Sequence, residues 1–238
     1  MTGFAEIWSY LSQGPLLWLT ATLAAYAVGD AAFRAAGRAP AVNPVLIAVA
    51  LLAGVLAVTG TPYSTYFEGA QFVHFLLGPA TVTLALPLWQ ARGLVARAAL
   101  PVAVALIAGS VTGVVSALAI AQGLGVGDQI LASLAPKSAT APVALGISER
   151  LGGSPTLTAV LVITTGVIGA VSATPLLNAL GIRDWRARGF ATGVAAHGLG
   201  TARALQVHPV AGAFAGLGMA LNAVATALIA PVVLGWFR

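Results

Sequence analysis

The residues best placed to do chemistry are a lone lysine and a glycine-flanked histidine. Lys137 is the only lysine in the chain, and it lies in Leu134-Ala-Pro-Lys-Ser-Ala-Thr-Ala-Pro142 within an otherwise apolar stretch. Pro136 suits the first turn of a helix, where its missing N–H costs nothing. A helix starting there would offer the free N–H groups of Lys137, Ser138 and Ala139 to a carboxylate, with the ammonium and the Ser138 and Thr140 hydroxyls beside them. The alternative is an anchor, with the lysine stretching to the headgroups.

The second constellation is Gly193-Val-Ala-Ala-His-Gly-Leu-Gly-Thr-Ala-Arg203. His197 and Thr201 are four apart and would share a helix face, with Arg203 near that side. Gly198 and Gly200 would permit an unwound turn. A guanidinium grips carboxylates in bidentate fashion, and a histidine can carry protons near neutrality. Here too a structural alternative stands, an interhelical hydrogen bond for His197 and an interfacial anchor for Arg203. Asn222 joins the candidate ligands, with hydrogen-bonding glue between helices as its alternative. Thr81 and Thr83 complete the set, because Pro79-x-Thr-x-Thr83 echoes Pro136-x-Ser-x-Thr140. Transporters often carry such paired, interrupted helices in two structural repeats.

The elements that must position these groups follow from composition. Of 238 residues, 59% are apolar and 7% charged, where a soluble domain has about a quarter charged. Lipid must therefore be the solvent for most of the surface. The apolar stretches reach the roughly 20 residues that a membrane helix needs and lack the alternation of a membrane barrel. The expected fold is an all-α integral membrane protein of about 7–8 membrane segments, some broken or re-entrant, in a single domain over residues 1–238; the pattern admits an internal inverted repeat. Spans are expected at residues 15–33, 43–60, 72–89, 98–122, 155–180 and 209–237, with interrupted segments at 129–149 and 188–207. Asn43-Pro44, Ser154-Pro155 and His208-Pro209 mark helix starts. Glycines four apart (Gly109/Gly113, Gly189/Gly193, Gly212/Gly216) have the spacing that lets helices pack closely in lipid.

The net charge of +5 comes from ten arginines and that lysine against six acidic residues. Arginines between apolar segments set membrane orientation and do not indicate nucleic acid. Loops with Arg34 and Arg38, with Arg92 and Arg97, and with Arg183, Arg186 and Arg188 should all be cytoplasmic. An even number of crossings then separates Arg97 from Arg183, so residues 129–149 should re-enter and return on one side; an ordinary crossing is the alternative. If residues 188–207 cross fully, the C-terminus is cytoplasmic and the N-terminus is outside. No cysteine is present, so disulfides and thiolate ligands are excluded. The start of the chain does not read as a cleaved signal peptide. No metal-ligand spacing, phosphate loop or paired carboxylates occur, so no enzyme, metal or cofactor is expected.

The runs Phe75-Leu-Leu-Gly-Pro-Ala-Thr-Val-Thr, Pro136-Lys-Ser-Ala-Thr-Ala-Pro142, Leu151-Gly-Gly-Ser-Pro-Thr-Leu-Thr and Ala196-His-Gly-Leu-Gly-Thr-Ala-Arg-Ala-Leu205 resemble the LrgB/CidB family. The likeness covers about four-fifths of the chain. Ala141 stands where the family often has threonine, and Thr174-Pro175 where it has Gly-Pro. The resemblance implies a bacterial inner-membrane location and two functions. One is modulation of murein hydrolase export and autolysis, with a small LrgA/CidA-like membrane partner. The other is movement of glycolate, glycerate or pyruvate, as in plastid and some bacterial relatives. Two positive groups with few acids beside them favour the second: a carrier of small carboxylates by alternating access, with His197 as candidate proton carrier and a homodimer supplying the static part.

Overall fold

The computed structural model describes residues 14–76, Pro79, Trp89 and residues 92–238. Every secondary-structure element among them is helical. Thr81, Thr83 and most of the span expected at residues 72–89 lie outside the described residues. The chain forms two compact units, Met1–Thr83 and Leu84–Arg238.

The first unit holds α1 (Pro15–Ala35), α2 (Pro44–Thr59) and α3 (Tyr63–Phe75). Asn43 caps α2 by accepting from the Val45 and Leu46 amides, and left-handed Gly60 ends it. α3 begins well before the expected span. Trp18 is fully buried and meets Tyr66 edge to face at 5.7 Å. At α1's end, Asp30 pairs with Arg34 one turn on.

The second unit contains α4 (Arg92–Arg97), α5 (Ala99–Gly123), α6 (Asp128–Leu134), α7 (Ala141–Arg150), α8 (Pro155–Ala179), α9 (Trp185–Val207) and α10 (Pro209–Gly235). At about 1.5 Å per residue, α5, α8 and α10 exceed the roughly 30 Å of a hydrocarbon core. The arms of the interrupted segments do not. α6 and α7 rise about 10 and 15 Å. α9 breaks at Ala196 and His197, leaving arms at residues 185–195 and 198–207 of about 15 Å each.

Contacts at the helix ends fix their directions. Gln122 Nε2 donates to the Phe237 carbonyl at 3.0 Å, and Arg238 donates to the Leu151 carbonyl at 2.8 Å. The end of α5, the end of α7 and the C-terminus therefore share one face. On the opposite face, Arg97, Ala98, Asp184 and Arg186 line one cleft, and the Trp185 ring stacks on His208 at 4.8 Å. The segment of α6 and α7 (hairpin 1) thus leaves and returns at the C-terminal face, as the re-entrant expectation had it. α9 (hairpin 2) leaves and returns at the arginine face. Its failure to cross overturns the expected full crossing of residues 188–207: the C-terminus lies opposite the loop of Arg183, Arg186 and Arg188. A hairpin followed by a span occurs twice with opposite direction, residues 128–179 and then 185–235.

Small residues seal the second copy. A Cβ on Gly189 or Gly193 would strike the backbone of Ala211 or Ala215 on α10, and one on Gly212 would strike Leu205. These are the packing glycines that the spacing predicts. Gly113 departs from that reading, since nothing lies within 4 Å of its Cβ position and it lines a cavity instead.

Candidate functional site

Hairpin 1 turns through residues 135–139, with Pro136 and Ala139 buried around Lys137. The helix does not begin at Pro136 as expected. The Lys137 amide donates to Leu134 O at 3.1 Å and the Ala139 amide to Pro136 O at 2.9 Å, so both are consumed by turns. The inward helix start belongs to α7 at Ala141. Thr140 is its N-cap and gives it no side-chain hydrogen bond.

Lys137 and Ser138 line a cavity of about 740 Å³ together with Ser110, Thr165, Asn222 and Thr226. Its other walls are apolar and run to Ile182 and Ala187, so it extends from the hairpin tips toward the arginine face. Lys137 Nζ is 3.5 Å from Ser138 Oγ and, among the described residues, forms no ion pair. No aspartate or glutamate is among the described lining residues. The returning arms of both hairpins start at the tips, so two helix N-termini, each carrying partial positive charge, point inward.

Asn222 occupies the junction. It is buried on α10, and its Nδ2 donates to Ser138 O at 3.0 Å and to Val194 O at 3.1 Å. Its Oδ1 accepts from Ser110 Oγ at 2.6 Å and from Thr226 Oγ1 at 3.4 Å.

The second constellation lies elsewhere. His197 is buried at the corner of hairpin 2 with φ +40° and ψ −133°, a conformation that costs a non-glycine residue about 1–3 kcal/mol. Its Nε2 donates to the Val162 carbonyl on α8 at 2.9 Å, and its own carbonyl accepts from Thr201 Oγ1 at 2.8 Å. Gly166 leaves room for the ring, because a Cβ there would come within 2.5 Å of Cε1. The break falls one residue before Gly198. Arg203, on the returning arm, lines a separate small cleft with Trp185, Arg188 and Thr192. His197, Thr201, Arg203 and Thr140 do not line the cavity of Lys137. That separation corrects the expected joint grip of Lys137 and Arg203: the returning arm carries Arg203 back toward the arginine face. Sequence reasoning missed Ser110, Thr165 and Thr226. Thr226, one turn after Asn222, and Ser110, in mid-span beside Gly109, were the available signals.

Long apolar spans with two opposed re-entrant hairpins beside a cavity that is partly open at Ala105, Ile168 and Ala195 make this an integral membrane protein. The chain matches the LrgB-like family over residues 22–236 and belongs to it. It is 34% identical to the uncharacterized protein YwbG of Bacillus subtilis over 82% of this chain and 86% of that one. It is 34% identical to the holin-like protein CidB of Staphylococcus epidermidis, covering 82% and 85%, and 31% identical to CidB of Staphylococcus aureus over the same shares. No solved structure matches the chain.

Proposed function

We propose that this protein is a secondary carrier of small organic anions, carboxylates of the size of glycolate, glycerate or pyruvate, working by alternating access in a bacterial plasma membrane. The observation that carries the proposal is Lys137, a cation at the tip of a re-entrant hairpin, facing a cavity with no described carboxylate. A charge held at that depth is costly unless paired, and an anionic guest would pair it. The cavity has room for a two- or three-carbon acid with some of its water. Discrimination between two conformations suffices for transport, and no bond-breaking step is invoked. The cycle makes no use of His197 as a proton carrier, because its ring is bonded to Val162 outside the cavity. A homodimer would supply a static frame.

A second reading follows from the relatives named holin-like: an oligomer that passes solutes without selection and acts on murein hydrolase export, alone or with an LrgA/CidA-like partner. Proteoliposomes separate the two. The carrier reading expects saturable uptake of labelled glycolate or pyruvate by the protein alone, without release of a trapped dye. Lys137→Ala should lower uptake about 10- to 100-fold, the order expected when a charge-assisted contact worth about 1.5–3 kcal/mol is lost. Arg203→Ala should stay within about threefold of wild type, given its separate cleft. Wild-type uptake by Lys137→Ala removes the assigned site; dye release without saturable uptake supports the holin-like reading.

A further inference from the structure

One side chain connects the two hairpins. Both N–H groups of the Asn222 amide are in use, one on the tip of hairpin 1 and one on the outgoing arm of hairpin 2, and its oxygen is held by Ser110 of α5. Each carbonyl it serves sits at an interruption of its hairpin. Ser138 O belongs to a turn, and Val194 O belongs to the last turn before the break at Ala196 and His197. Neither a leucine nor an aspartate could replace the amide here. The first donates nothing, and the second would set a carboxylate next to Lys137.

The cavity runs from about one turn past this junction, at Gly113, Val114 and Thr226, to Ile182 and Ala187 at the arginine face, so the joined tips stand at its C-terminal-face end. We propose that Asn222 is a positioning residue that keeps that end shut, and that release of the Ser138 carbonyl is the step that opens the cavity to the C-terminal face. This rests on the carrier reading for its purpose, although the closure itself does not. Ser138 adjoins Lys137, so the same release would shift the cation as the cavity changes sides. Water can take up the freed carbonyl and amide, so the bond can break and re-form repeatedly.

The chain has no cysteine, so a single reporter is clean. Ala195, exposed and lining the cavity, is replaced by cysteine and labelled in oriented membranes with an impermeant maleimide from each face. With Asn222 present, labelling should come from the arginine face. Asn222→Leu should raise the rate from the C-terminal face at least fivefold while labelling from the arginine face continues. Ser110→Ala, which keeps both donor bonds, should raise it less. Unchanged C-terminal-face labelling in well-behaved Asn222→Leu protein overturns the gate. Loss of monodisperse, inserted protein in both variants also overturns it, because Asn222 would then belong to the fold. Wild-type uptake by Lys137→Ala alongside C-terminal-face labelling of Asn222→Leu would remove the anion site and leave the gate standing.

Discussion

The two hairpins enter from opposite faces and reach similar depth, yet different forces hold them. Hairpin 1 is fastened to α8 by hydroxyls. Thr158 Oγ1 donates to Ser148 Oγ at 2.6 Å and is 3.1 Å from Ser133 O, while Ser133 Oγ accepts from the Ser154 amide at 2.8 Å. Hairpin 2 is fastened to α10 by bare backbone contact at Gly189 and Gly193. These hydroxyls are fully buried, so their bonds depend on kept geometry, and leaving a partner unsatisfied costs about 1–3 kcal/mol. A seam of glycine against carbonyl has no alternative partner and no slack. The difference teaches what each part is sensitive to: hairpin 1, which carries the lysine, depends on directional buried bonds beside the apolar cluster of Leu131, Ala135 and Ile147, and hairpin 2 on close packing against α10.

The most damaging test strikes the seam. Gly193→Val would drive a branched side chain into the Ala215 backbone, a site where overpacking costs about 1–3 kcal/mol and often more against backbone. It should sharply lower thermal stability in detergent or prevent recovery of monodisperse protein. Wild-type melting would break the comparison. Thr158→Val keeps the shape and removes the hydroxyl, at a cost of about 1–2 kcal/mol from the partners left behind. It should loosen hairpin 1 alone, seen as faster hydrogen exchange over residues 128–150 with residues 185–207 unchanged. Equal loosening of both would erase the distinction.

How much of this was legible depended on what each feature needs. The long spans and their starts at Pro155 and Pro209 were readable, because apolar runs and caps are local. Ser154 and His208 do cap those helices, accepting from the Leu157 and Val210 amides. The re-entry of residues 129–149 was readable from arginine bookkeeping. The re-entry of α9 was not, since some twenty residues are long enough to cross and the turn lies in the backbone of two residues, Ala196 and His197. That one break decides where Arg203 goes, and with it the membership of the site. Asn222 was noticed, but its partners are main-chain carbonyls, which carry no residue signature. Ser110 and Thr226 gain meaning only through Asn222.

The smallest expected effect concerns the base of hairpin 2, outside the spans. Asp184 caps α9 by accepting from the Arg186 amide at 2.8 Å. Its carboxyl is held down from 3.8 to about 2, first by the side-chain hydrogen bond with Arg186 and then by the backbone bond to Arg186. A depressed carboxyl stabilises the folded state above its unfolded value, and that contribution fades as pH falls toward the folded one. The cap should therefore contribute fully above about pH 4 and be lost toward pH 2. The pair is exposed, so the change in melting temperature should be slight. Asp184→Asn should flatten the pH dependence in that window, and an unchanged slope would show that other acids set it.

The opposed re-entry of the hairpins is the claim on which the cavity, the lysine and the gate all depend. Single cysteines at Leu124, Arg150, Arg183 and Gln206, labelled from each side of intact membranes, test it directly. Leu124 and Arg150 should react from one side, and Arg183 and Gln206 from the other. Reaction of Leu124 and Arg150 from different sides, or of Arg183 and Gln206 from different sides, would mean that a hairpin crosses the membrane and would contradict the architecture.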